Sequence, residues 1–159
     1  MEMSDKIDKI VPALPLHLAA EWLKGVLSDQ NTSCYPVNIP DELLEKFPHP
    51  IRQNSSQVVV SHADFICPAH CREPENICTY TGKKRPTPLF KIIDNIEHMP
   101  FVPLVIKSRQ FAQGVGGFFP EDLWKLYRHA ISTPKTLLLI GTACKCHGII
   151  DGLMIKYHM

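Results

Sequence analysis

Apolar runs of strand type alternate with segments of helical period along this chain, and that alternation constrains its fold more than any other feature. Lys9 to Leu14, Gln57 to Ile66, Phe101 to Ser108 and Lys135 to Thr142 are short, rich in Val, Ile and Leu, and bounded by Pro, Cys, Gly or Arg. Between the second and third, Leu89, Ile92, Ile93 and Ile96 mark one helical face, and Leu123, Leu126, Tyr127, Ala130 and Ile131 mark another before the fourth. Pro120 suits a first helical position, with Glu121 and Asp122 placed where the helix dipole favours acids. Leu16 to Leu27 is expected to be a further helix, and so is Gly148 to Tyr157, although Gly152 weakens it.

Strand and helix in alternation predict an α/β fold: three layers, a mostly parallel sheet of about four strands, helices on both faces, a Rossmann-like half. The 159 residues are enough for one continuous core, so residues 1–159 are expected to form a single domain. Residues 28–56, with Pro36, Pro40, Pro48 and Pro50 around a short helix of sequence DELLEKF, read as a long Pro-rich connection.

Charge restricts function by what it leaves out. Seventeen basic and sixteen acidic residues give a net charge of +1, so no long-range field draws the protein to nucleic acid or to an anionic membrane. The stretch Met1 to Ile10 carries acids where a secretory leader needs a basic patch and an apolar run, and no later run has the length of a membrane span. A cytoplasmic location is expected.

In a reducing compartment clustered cysteines are more often metal ligands, redox groups or nucleophiles than disulfide partners. Cys67, Cys71 and Cys78 follow the second apolar run at C-x3-C-x6-C spacing, while Cys144 and Cys146 follow the last one with His147 directly behind. In a parallel sheet both groups reach the edge where the strands end, which is where ligands bind. Five thiols converging from two loops suit a soft metal, because zinc and iron-sulfur clusters are held by several thiolates at once. The spacing is neither that of a paired C-x2-C zinc site nor that of a ferredoxin. Three local thiols, Pro68 beside the first, and a remote fourth favour an iron-sulfur cluster, with zinc as the alternative. Cys34 stands apart and reads as a small buried hydrophobe. His70 and His147 read as orienting or solvated groups, and His62 as a strand-end histidine.

A second expectation concerns anions. After the third apolar run, Arg109 precedes Gly114, Gly116 and Gly117 and then a helix start, the layout of a backbone cradle for a phosphate-bearing ligand or cofactor. It matches neither the dinucleotide fingerprint nor the phosphate-loop motif, and a tight turn explains glycines equally well. Lys83, Lys84 and Arg85 form a basic run of the kind usually found on solvated loops. Glu73, Glu75, Asp64 and Asp151 are available acids, but no nucleophile elbow, H-E-x-x-H motif or basic-aromatic nucleic-acid pattern is present.

The leading expectation is a metal-binding protein whose centre, on Cys67, Cys71, Cys78 and either Cys144 or Cys146, serves redox or anion-substrate chemistry. The alternative is a structural or binding module in which zinc pins two loops and the glycine loop holds a small anionic ligand. Lacking a fingerprint of its own, the chain would also serve as one module of a larger assembly.

Overall fold

The computed structural model describes residues 7–30, 32–133 and 137–157. Its elements are α1 (Leu18–Ser28), β1 (Thr32–Pro36), α2 (Asp41–Leu44), β2 (Ile51–Asn54), β3 (Gln57–Ser61), α3 (Leu89–Asp94), β4 (Phe101–Lys107), β5 (Arg109–Ala112), β6 (Val115–Gly117), α4 (Pro120–Ser132), β7 (Leu137–Ala143) and β8 (His147–Tyr157). Lys135 and Thr136, at the head of the fourth apolar run, lie outside the described residues.

The sheet is mixed and mostly antiparallel, which corrects the expected three-layer, mostly parallel, Rossmann-like half. Its strand order is β2-β3-β8-β7-β4, with β1 also paired to β8. Among the described residues only β4 and β7 pair in parallel; β8 runs antiparallel to β7, β3 and β1. A separate antiparallel hairpin joins β5 to β6.

The difference has one main source, which is β8. Gly148 to Tyr157, expected as a helix, belongs to the eleven-residue central strand. A strand covered on both faces loses the alternation that would identify it, and a mixture of Ile, Leu and Met then mimics helical periodicity. Its glycines serve close packing: a Cβ at Gly148 would stand 2.9 Å from the Ala143 Cβ, and one at Gly152 would stand 2.6 Å from the Val37 carbonyl oxygen. Conversely, Lys9 to Leu14 forms no strand; Ile10 alone bridges to Phe118, since Pro12 cannot extend a ladder. The Pro-rich connection supplies two strands of the main sheet, β1 and β2, with α2 between them.

Alternate residues of the central strands feed two apolar clusters, one on each face. Leu138, Ile140, Leu153 and Ile155 pack with α1 and α4 through Leu23, Leu27, Leu123 and Leu126. Leu139, Ala143 and Ile150 pack with the α2 and α3 side through Leu43, Leu89 and Ile93.

One relationship positions everything that follows. Because β8 is antiparallel to both of its long neighbours, β3 and β7 run the same way, and β4 runs with β7. The ends of β3, β4 and β7 and the start of β8 therefore meet at one edge of the sheet.

Candidate thiol site

Three connections meet at that edge: the long segment after β3, the β5–β6 hairpin after β4, and the tight turn between β7 and β8. Together they wall a cavity of about 310 Å³ lined by Cys67, Cys71, Cys78, Cys144, Cys146 and His147, with Glu73, Thr79 and Arg85 among its other walls. All five thiols of the two sequence clusters thus reach one cavity. Cys34 is on β1 and packs against the core cluster of α1 and α4.

The β7–β8 turn is held at both ends. The Cys144 amide donates to the His147 carbonyl at 2.9 Å, and the first amides of α3, on Leu89 and Phe90, donate to the carbonyls of Lys145 and Cys144 at 2.9 and 3.3 Å. Inside the turn the amides of Cys146 and His147 both donate to the Cys144 sulfur at 3.3 Å. The Cys71 sulfur accepts the Glu73 amide at 3.4 Å and lies 3.3 Å from the Thr79 hydroxyl. Amides directed at sulfur in this way stabilise thiolate charge.

The five thiols nonetheless differ. The Thr79 hydroxyl, then the Glu73 amide and Arg85, hold Cys71 below the ordinary thiol range despite partial burial. At Cys78 the Thr81 hydroxyl and amide, and after them the Tyr80 amide, have the same effect. Burial raises Cys67, and the neighbouring Cys71 and Cys78 raise it further. Cys146 is also raised by burial, which outweighs the opposing pull of Arg85. Cys144 is pushed up to about 12 by burial and by the Glu73 carboxylate that its thiol faces.

His147 stands between the clusters, its Nε2 3.5 Å from the Cys67 sulfur and its Nδ1 3.9 Å from that of Cys144. Burial lowers its affinity for a proton, so the ring favours its neutral form. His62 points away, its Nε2 donating to the Thr87 carbonyl at 2.9 Å, and His70 is exposed.

Arg85 is the group that sequence reasoning undervalued. A small hairpin-like fold, with Ile77 bridged to Lys84 and the Arg85 amide donating to Asn76 at 2.8 Å, turns its side chain into the cavity. Nη1 donates to the Cys146 sulfur at 2.5 Å and Nη2 lies 4.0 Å from the Cys71 sulfur. Its Nε is buried without a partner. Nothing in the Lys83, Lys84, Arg85 run separates the inward cation from its exposed neighbours.

The glycines expected to cradle an anion form the β5–β6 hairpin, so no helix follows the loop directly. Gly114 turns at φ +72°, and a Cβ there would stand 2.5 Å from the Ala69 carbonyl oxygen. Gln110 and Gln113 donate from the same hairpin to the carbonyls of Cys71 and His70 at 2.6 and 2.7 Å. Gly116 lies against the Ser108 hydroxyl, and Gly117 against the Ile10 carbonyl. Arg109 pairs with Asp122 at 2.6 Å, donates to the Lys107 carbonyl and covers the Phe119 ring. The hairpin therefore clamps the first cysteine loop, and Arg109 anchors it to the start of α4.

Glu73, at φ +47°, braces the two cysteine loops against each other. Its carboxylate accepts the Lys145 amide at 2.8 Å, and the Lys145 ammonium reaches its carbonyl and, at 2.6 Å, the Glu75 carboxylate. Among the described residues no three or more His, Cys, Asp or Glu side chains are gathered closely enough to hold one ion. No helix among them is long and apolar enough to cross a membrane.

Residues 19–156 match the AF_1314_C family, whose description is "Uncharacterized protein, C-terminal domain". No curated protein and no solved structure matches the chain.

Proposed function

The chain belongs to the AF_1314_C family, and from the chemistry of its cavity we propose that it is a cytoplasmic iron-sulfur protein whose cluster carries single electrons. The observation that supports this most is the placing of five thiols around one space of about 310 Å³. A single zinc draws its donors to about 2.3 Å from one point. A cluster of several irons takes its thiolates from its periphery instead.

Cys67, Cys71, Cys78 and Cys146 would hold the cluster. Cys67 is close enough to Cys71, Cys78 and Cys146 for the charge on one to be felt by another. Cys144 faces Glu73 instead. The unpartnered Arg85 Nε fits the same reading, since a buried donor beside a sulfur-rich anion gains an acceptor. Electron transfer is favoured over anion-substrate chemistry because Arg109 is already engaged by Asp122.

Purification without air tests the reading, followed by counting iron and acid-labile sulfide before and after reconstitution with ferrous iron and sulfide. A brown protein containing both is expected. Cys67→Ser, Cys71→Ser, Cys78→Ser and Cys146→Ser each lose most of the iron, whereas Cys34→Ser and Cys144→Ser keep it. A colourless protein with stoichiometric zinc would establish the structural alternative, and a protein that takes up neither metal would refute both.

A further inference from the structure

We infer that Arg85 is a positioning residue for the centre: it holds Cys146 toward the cluster and raises the cluster's reduction potential. This rests on the iron-sulfur reading above and concerns a residue that holds no iron itself.

Three observations lead to it. The guanidinium contacts sulfur on two sides, Cys146 at 2.5 Å and Cys71 at 4.0 Å, from different connections. Among the ion pairs of the described residues it has no carboxylate, although Arg52, Arg109 and Lys145 each have one. Its Nε is also the one buried side-chain polar atom left without a partner among those residues. A buried guanidinium N–H without an acceptor is costly, so its complement is to be sought in the cavity, where the groups that it contacts from two sides are the thiols of Cys146 and Cys71.

The physical consequence concerns charge. Thiolates make a bound cluster anionic, and reduction by one electron from an external one-electron donor adds one further negative charge. A fixed guanidinium at hydrogen-bond distance stabilises the reduced form more than the oxidised one, and hydrogen bonds to sulfur act in the same direction on such potentials. The same contact keeps the turn that bears Cys146 against the loop that bears Cys71.

The test compares wild type, Arg85→Gln, Arg85→Lys and Lys84→Gln, each reconstituted without air. Iron and sulfide are counted first, and each protein is then titrated with dithionite against redox mediators. The expected result is a lower midpoint potential in Arg85→Gln and a smaller drop in Arg85→Lys, which keeps the charge but loses the planar fork. Lys84→Gln removes the same charge from the exposed side of the same loop and keeps the wild-type potential. Equal potentials in all four proteins would overturn the inference while leaving the cluster in place. Loss of the cluster from both Arg85 variants would also overturn it, by making Arg85 a residue that merely builds the pocket. A wild-type protein without a cluster would overturn the reading beneath it.

Discussion

The Nδ1 of His17 lies 2.6 Å from the Asp151 carboxylate, joining the residue that precedes α1 to the middle of β8. His17 is 3% exposed and Asp151 8%. The imidazole does not cap its own helix; its Nε2 meets the Thr142 hydroxyl on β7 at 2.8 Å, and Gln57 on β3 donates to the same carboxylate at 3.2 Å. Three strands and one helix are tied at one buried point. Replacing His17 by Leu leaves a buried carboxylate without its principal donor, and a loss of about 3 kcal/mol is expected. Urea unfolding checks this as a lowered midpoint with an unchanged slope. The iron of the proposed cluster, counted per folded molecule, stays at the wild-type value, because the cavity lining does not include this group.

Thiol reactivity in metal-free protein should divide the six cysteines. Cys71 and Cys78 are held below the ordinary range by neighbouring hydroxyls and amides. Cys144 and Cys34 are raised to about 12 and about 11. Iodoacetamide at mildly alkaline pH, followed by peptide mass spectrometry, should label the first two well before the last two. Faster labelling of Cys144 than of Cys71 would contradict the hydrogen-bond geometry described for both.

Cys34 also contributes to the pH dependence of stability. Burial raises its thiol from an ordinary value near 9 to about 11, with Lys24 opposing. A group whose proton is held more tightly in the folded state stabilises that state fully below its unfolded value, and the contribution disappears as pH rises through the folded one. Wild-type protein should therefore lose stability between about pH 9 and pH 11 more steeply than Cys34→Ala, as thermal melts across that window would record.

Gly114 couples the hairpin to the first cysteine loop. An added Cβ meets both an unfavourable φ of +72° and the Ala69 carbonyl. Gly114→Ala is expected to cost about 1–2 kcal/mol, and it should also shorten the lifetime of bound iron against a chelator several-fold. Stability loss with unchanged iron release would show that the hairpin does not clamp the loop.

His147 separates a ligand from a neighbour. Its Nε2 lies 3.5 Å from the Cys67 sulfur, a separation that suits a hydrogen bond to sulfur and equally two donors on one tetrahedral ion. His147→Gln, which can still donate to that sulfur, should keep most of the iron that Cys67→Ser loses. Equal losses in both variants would make the imidazole a ligand.

The strands β3, β4 and β7 were readable because each is a short, strongly apolar run, and α3 and α4 because their stripes keep a 3.6-residue period. β1 and β2 were not, since TSCYP and IRQN carry no apolar pattern and owe their pairing to β8 and β3. The sheet direction is not legible because the β8 sequence mimics a helix, yet the meeting of the two cysteine clusters does not depend on that direction. Placing Cys67 and Cys144 at one edge requires only that β3 and β7 point the same way, and one antiparallel strand between them preserves this. Arg85 had no such signature, because only tertiary folding distinguishes it from Lys84.

The position of β8 sets an order of events. It follows every other element of the described residues but stands between β3 and β7, so during synthesis the two thiol-bearing segments exist for a time without the strand that fixes their separation. Iron arriving then would meet an incomplete set of donors. For the cluster proposed above, delivery to the finished sheet would avoid this, in contrast to small zinc modules, which fold around their metal.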